Sequence, residues 1–422
     1  MQTHRDSQTK SMIDLRVHAQ RLDQGDALAA HRAKFSLPQG VIYLDGNSLG
    51  PPSKAALATL QECAQEQWAT DLIKSWNTHD WIGLPQRTGA LIAPLIGAKA
   101  EQVIACDSIS VNLFKILSGI VRNSDRSTLL LQKDNFPTDN YVAQGLAHFT
   151  RGQIHLRYAA SDELPQAIND DVAAVLLSHV HYRTGQRYDL ETIVESAHAA
   201  GAQVVCDLAH SAGVLDVRLN DWSVDFAVGC GYKFLNGGPG APGFVFAQRT
   251  HKAAGMSALQ GWMGHKAPFE FTPEQQTASE MRGFLVGTPS ILSMSALLGA
   301  LSDFERISPR ELESKALALS DTFLAALDEL RLLETLSLIS PRDPDKRGAQ
   351  LSFAHPDAHA IAQALIAEGV IGDFRAPNVL RFGFSPMFLS FADMVDAALK
   401  LKVIMDTQIY TQKRFQTKNK VT

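Results

Sequence analysis

The sequence predicts an α/β protein: a large domain on a mostly parallel, seven-stranded sheet sandwiched by helices, followed by a smaller α+β domain. Three observations predict it. Between residues 103 and 248, short apolar runs alternate with helix-like segments, the rhythm of strand–helix–strand crossovers. Runs such as VVC (204–206) and FAVGC (226–230) are apolar without alternation, as strands covered on both faces are. Beyond about residue 305 the texture changes to a long helix, short strands and two further helices.

Taken in order, residues 11–32 read as a helix, VIYLD (41–45) as a strand and GNSLGPP (46–52) as a turn. Pro51 and Pro52 forbid continuation, and Ser53 can cap a helix running to about Trp68, with Leu57, Leu60, Ala64 and Trp68 on one face. A Trp-rich stretch, SWNTHDW (75–81), precedes a helix ending near Gly97. Next come the strand VIACD (103–107), the helix VNLFKILSGIVR (111–122) and the strand STLLLQ (127–132). A helix near 139–148 leads to the strands QIHLRY (153–158) and AAVLLSHV (173–180). DLETIVESAHAAG (189–201) is a capped helix closed by its glycine. VVC, FAVGC and GFVFAQ (243–248) complete the sheet. The smaller domain reads as a helix (311–330), strands (335–339, 350–353), a helix (357–368), strands (370–374, 379–384) and a helix (390–408). The expected division is an N-terminal extension over 1–50 packing with the small domain, a large domain over 51–304, the small domain over 305–412 and a basic tail over 413–422. No internal repeat or low-complexity tract is visible.

A chain of 422 residues can hold two or three domains, and 45% apolar with 20% charged residues is ordinary globular composition. A net charge of −5 gives no general attraction for nucleic acid or anionic lipid. The one basic cluster, KRFQTKNK (413–420), is expected to fray in solvent. Residues 1–20 carry no apolar core with a cleavage site, and no apolar run approaches the ~18–20 residues of a membrane span. Cys63, Cys106, Cys206 and Cys230 are scattered, with neither a disulfide framework nor zinc-ligand spacing, so a reducing cytoplasm is expected.

The chemistry concentrates in residues 204–243. One buried strand ends in Asp207 and the next leads to Tyr232 and Lys233, followed by NGGPGAPG. Ligands of open α/β sheets lie beyond the carboxyl ends of the strands, so a carboxylate and an amine are expected at one crevice. The pair suits pyridoxal phosphate (PLP), which needs a lysine to bond its aldehyde and an acid to keep its pyridine nitrogen protonated. Either residue alone would read as a loop aspartate or a surface lysine; their placement before a glycine cluster favours the cofactor.

Other candidates carry ordinary readings beside the functional ones. In DSISVNLFKIL (107–117), Ser108 and Ser110 stand just before a helix, where they can cap it or cup a phosphate. In DNFPTD (134–139), Phe136 can stack on an aromatic ring or simply anchor a loop, with Asp139 beside it. His179 and His181 lie two apart at a strand end, but no acidic or cysteine partner has metal-ligand spacing, so no metal is expected and both read as structural. His210 is better placed near the cofactor. Arg381, within an apolar strand, must either pair with an internal carboxylate or await one from a ligand.

GNSLGPP, SVNLFKIL, FPTDNY, HYRTGQRYDL, DLAHSAG, DWSVDFAVGCGYKFLNGGPG, GWMGH and NVLRFGFSP, in this order, resemble the kynureninases, PLP enzymes of the fold type I, aminotransferase-like superfamily. The resemblance runs from about residue 40 to 405. It implies hydrolytic cleavage of L-kynurenine to anthranilate and L-alanine, in tryptophan catabolism or NAD biosynthesis, by a cytoplasmic homodimer with sites completed across its interface. It implies that Lys233 bonds the cofactor and Asp207 partners the pyridine nitrogen. Phe136 corresponds to the ring-stacking residue, with Asp139, Ser178 and His210 close by. Ile109, Ser110, Tyr232 and Trp262 correspond to phosphate contacts, and Thr288 to a contact across the dimer. Tyr232 joins Lys233 and Asp207 as a catalytic group, a proton relay. Arg381 corresponds to the holder of the substrate carboxylate, with Ser48 and Trp76 in the substrate pocket. Trp76 stands where the animal-type pattern has histidine, which implies a bacterial type preferring kynurenine over 3-hydroxykynurenine. The rivals are a cysteine desulfurase or class V aminotransferase, of which the first needs a reactive cysteine on an exposed loop, and a non-catalytic relative, which would commonly lose the lysine.

Overall fold

The computed structural model describes the backbone of residues 2–248 and 257–417, and side chains from residue 13 onward. The chain forms two compact units. One comprises Met1–Lys54, Arg183–Gln186 and Arg310–Thr422; the other comprises Ala55–Tyr182 and Arg187–Pro309.

The larger unit is built on a seven-stranded sheet of β1 (Val103–Ala105), β2 (Thr128–Gln132), β3 (His155–Ala159), β4 (Val172–Ser178), β5 (Gln203–Asp207), β6 (Phe226–Cys230) and β7 (Gly243–Ala247). Their order is β1-β7-β6-β5-β4-β2-β3. The neighbours from β6 through β5, β4 and β2 to β3 are parallel; β7 runs antiparallel to both β6 and β1. The reversal has a local cause. Only the glycine-rich stretch 231–242 joins β6 to β7, and it holds turns with none of the crossover helix that usually joins a parallel pair. The strands from β4 to β7 are buried along almost their whole length, as their unbroken apolar runs require. Helix α1 (Ile109–Arg122) packs Leu113, Ile116, Leu117 and Ile120 into the core with Phe226, Val228 and Val245.

Four details differ from the sequence expectation. Ile291–Ser302, to which no element is assigned above, is a helix; it is apolar on nearly every side and so lacks the one-faced period. The helix beginning at Lys54 is regular only to Glu62 and continues as wide π turns over Cys63–Asp71, leaving Leu57 and Trp68 about half exposed rather than on a buried face. The N-terminal helix is Gln2–Gln24, and Gly25 separates it from a 3-10 turn at Ala29–Lys34, so 11–32 is not one helix. The basic tail does not fray throughout: Lys413–Gln416 is a helical turn with Phe415 buried, and residues 418–420 of that cluster lie outside the described residues.

The smaller unit holds an antiparallel sheet in the order Asp373–Arg375, Val379–Gly383, Gln350–Ala354, Ser337–Leu338, and a parallel pair of Ile42–Tyr43 with Val370–Ile371. Segment 183–186, far away in sequence, joins this unit through backbone: Gly185 O accepts from Gly348 N at 2.8 Å and Thr184 O from Ser340 Oγ at 2.6 Å. Asp23, at the end of the N-terminal helix, accepts from Phe391 N (2.7 Å) and Ala392 N (3.0 Å). It thus supplies negative charge to the start of helix Phe391–Thr407.

Candidate active site

The parallel register of the large unit sets the carboxyl ends of neighbouring strands side by side. Ser178, the last residue of β4, pairs with Asp207, the last of β5, and Asp207 in turn with Val228 of β6. Two residues beyond β6 come Tyr232 and Lys233. From β2 the chain passes through Asn135 and Phe136 into the helix Pro137–Phe149, which carries Asp139. With the start of α1, these ends enclose a cavity of about 180 Å³ lined by Ile109, Ser110, Phe136, Asp139, Ser178, Asp207, His210, Tyr232 and Lys233. Nine residues marked in the sequence as cofactor contacts therefore share one space.

Lys233 Nζ stands 3.1 Å from His210 Nε2 and about 6 Å from the ring centres of Phe136 (5.9 Å) and Tyr232 (6.0 Å). Asp207 is buried, and its Oδ1 accepts from Ala209 N at 2.7 Å. Burial lifts its carboxyl above the ordinary range, opposed by the Lys233 charge and the Ala209 N–H. Asp139 is fully buried; loss of solvent and then the Asp207 charge push it well above the carboxylate range. Its Oδ2 accepts from Asn135 Nδ2 at 3.0 Å, while Oδ1, as a bare carboxylate oxygen, has no hydrogen-bond partner. A proton on Asp139 resolves both facts, since a protonated Asp139 can donate to Asp207 and leave the single anion there.

The Tyr232 hydroxyl is pushed up by burial, with Cys230 and Asp207 adding to it, so it keeps its proton. Ser178 Oγ donates to Asn135 Oδ1 at 2.5 Å, which links β4 to the Asp139 side of the cavity. At the other end, Ser108 caps α1 by accepting from Val111 N (3.4 Å). Ser110 lies inside the first turn rather than before it. A Cβ on Gly243 would fall 3.2 Å from Ile109 N, so glycine keeps that helix end open to a ligand.

PLP fits these residues: a buried acid for the pyridinium, an amine for the aldehyde, an aromatic ring in Phe136, and an open helix start with a hydroxyl for the phosphate. Other marked residues do not line the cavity. Trp262 is 39% exposed and stacks near Phe269 and Phe271, and Thr288 is exposed. Trp76 packs edge-on against Trp81 at 5.9 Å. Ser48 and Arg381 belong to the smaller unit. There Arg381 is buried and pairs with an internal carboxylate: Nε donates to Asp373 Oδ1 at 2.8 Å and Nη2 to Asp373 Oδ2. Nη2 also donates to Ser48 Oγ at 2.8 Å.

His179 is buried against Trp222, with its pKa driven down to about 3 by burial and Arg187. His181 bonds the Asp134 carbonyl at 2.8 Å. Among the described residues no group of three His, Cys, Asp or Glu could hold a metal ion. Sequence reasoning passed over Asn135, Thr138 and Asp373. The signal was available for Asn135 and Thr138, polar residues inside a motif already singled out, but not for Asp373, whose meaning rests on a cross-strand neighbour.

A family described as kynureninase C-terminal domain matches residues 312–401. A kynureninase of Deinococcus radiodurans is 46% identical over 390 residues, covering 91% of this chain and 95% of that protein. One of Burkholderia mallei is 43% identical over 413 residues, covering 96% and 99%. Among solved structures, an apo cysteine desulfurase from Thermococcus onnurineus matches with a TM-score of 0.74 at 19% identity, covering 91% of this chain and 98% of that one. A mutant of C-DES with glycine covalently linked to its PLP cofactor matches with a TM-score of 0.77 at 18% identity, covering 88% and 98%. At such identities the likeness is one of fold, that of the PLP-dependent fold type I enzymes. Among the described residues all four cysteines are buried, and burial pushes Cys106 up to about 11. No exposed thiolate is on hand for desulfurase chemistry.

Proposed function

The chain belongs to the kynureninases, PLP-dependent hydrolases of carbon–carbon bonds that convert L-kynurenine to anthranilate and L-alanine, and from that premise we propose the part each of its residues plays. The observation that supports the assignment best is Lys233 and the buried Asp207, from neighbouring strand ends, lining one cavity.

Lys233 would hold the cofactor and, when free of it, would remove the α-proton as general base, with His210 Nε2 at 3.1 Å to steady its Nζ. Bound PLP supplies an electron sink for the charge that develops on the substrate. Asp207 would keep the pyridine nitrogen protonated, with Asp139 beside it in the same cavity. Phe136 covers the ring. Ile109, Ser110 and Tyr232 take the phosphate. Tyr232, which retains its proton, would deliver it to Cβ, where the electron pair of the broken Cβ–Cγ bond is left after water has added to the γ-carbonyl. Arg381, with Ser48, binds the substrate carboxylate and so sets which α-bond breaks. Trp76 lines the substrate pocket and favours kynurenine over its 3-hydroxy form.

The working enzyme is a cytoplasmic homodimer in this reading. Trp262 contacts the phosphate, and Thr288 makes its contact across the dimer. The exposure of Trp262, Phe269 and Phe271, large apolar groups seldom left bare, supports this. Among the described residues no helix is long and apolar enough to cross a membrane.

The test is incubation with L-kynurenine and, separately, 3-hydroxykynurenine, following anthranilate fluorescence and alanine. Equal yields of anthranilate and alanine, with kynurenine the better substrate, are expected. Sulfide from cysteine with no anthranilate from kynurenine would overturn the reading.

A further inference from the structure

Asp373 is buried in the smaller unit and gathers four donors on two oxygens. Oδ1 takes Arg381 Nε at 2.8 Å; Oδ2 takes Arg381 Nη2, Arg375 Nη2 at 2.8 Å and the Ser48 hydroxyl at 2.7 Å. The register makes this possible. Asp373 and Arg381 are direct partners across the antiparallel pair Asp373–Arg375 and Val379–Gly383, so their side chains leave the same face. Burial would raise the Asp373 carboxyl, but the Arg381 and Arg375 charges and the bonds from Arg381 and Ser48 outweigh it and hold it below its ordinary value.

A guanidinium gripped along its Nε–Nη2 side cannot turn about its last bonds. Its plane, and with it the direction from which a second carboxylate can meet it, is set by the first. Ser48 is held in the same knot, since it donates to Asp373 and accepts from both Arg381 (2.8 Å) and Arg375 (3.1 Å). We propose that Asp373 is the positioning residue for substrate-carboxylate recognition: it touches no substrate, and it orients Arg381 and Ser48, which do. The inference rests on the assignment of Arg381 to the substrate carboxylate.

Asp373→Asn keeps the shape of the side chain and removes the charge that orients both arginines. With the holoenzyme, the KM for L-kynurenine should rise about tenfold or more while kcat changes by less than about threefold and the cofactor absorption stays. Kynurenamine, the substrate without its carboxylate, should inhibit the variant and the parent equally. Arg381→Ala, assayed alongside, should also raise KM. If Arg381→Ala raises KM and Asp373→Asn does not, the role of Asp373 falls and that of Arg381 stands; if Arg381→Ala leaves KM unchanged, both fall. Equal weakening of kynurenine and kynurenamine would mark Asp373 as merely structural and overturn the inference. Should the Asn variant not fold, Asp373→Glu keeps the charge and moves it by one methylene; a raised KM is expected and an unchanged one overturns the proposal.

Discussion

In the proposed scheme Lys233 and Asp207 carry the chemistry through charge and position, and each predicts a separate loss. Lys233→Ala should bind PLP without turning over kynurenine; anthranilate release within about tenfold of the parent would remove the lysine from the scheme. Asp207 and Asp139 lie in the same cavity wall but carry different protonation, and the difference is testable. In the proposed scheme Asp207 faces the pyridine nitrogen, so Asp207→Asn should lower kcat by about a hundredfold or more and change the cofactor spectrum. Asp139, whose carboxyl burial and the Asp207 charge push well above its ordinary range, should tolerate Asn with a loss of about tenfold or less. Equal losses in a stopped-flow comparison would contradict the shared-proton arrangement. Lys233 and Asp207 were legible in the sequence because a charged residue closing an unbroken apolar run has one place to be, the strand end. The Asp139 proton was not legible, because it arises from burial and from a carboxylate 68 positions away in sequence.

Among the elements, α1 depends on more than its capping serine. Lys115, on its second turn, has its side chain fully buried and donates to Asp107 Oδ2 (2.5 Å), Asn112 Oδ1 (2.9 Å) and the Phe284 carbonyl (2.7 Å). Asp107, just before the cap, has φ of 45°, a strained backbone for a residue with a side chain, and the ion pair is what steadies it. Lys115→Met leaves those acceptors without their shared donor and should cost about 3 kcal/mol in urea unfolding; a loss below about 0.5 kcal/mol would place it among ordinary surface pairs. The lysine is invisible to pattern reading, which treats SVNLFKIL as an amphipathic segment with a polar exception. Helix Ile291–Ser302 went unseen for the opposite reason, since a helix apolar on nearly every side shows no contrast between faces.

At the scale of the whole molecule, stability should respond to pH through Asp45 in the smaller unit. Burial, then the Asp373 charge, raises its carboxyl from 3.8 to about 7. A folded-state value above the unfolded one means that this group favours folding most below about pH 4, and that the contribution is lost as pH rises toward 7. Asp45→Asn should therefore be more stable than the parent by about 3 kcal/mol at pH 8, with the gap closing near pH 4, in denaturant titrations at both values. A gap independent of pH would place the buried charge elsewhere.

The order of apolar runs was enough to specify an α/β sheet, its strand ends and the lysine–carboxylate pair, because period and punctuation are local properties of the chain. Two things required the folded molecule: the charge balance of Asp139 with Asp207, and the knot of Asp373 with Arg381, Arg375 and Ser48. Each depends on residues distant in sequence losing water together, and desolvation is a property of the packed neighbourhood that no single stretch of sequence contains.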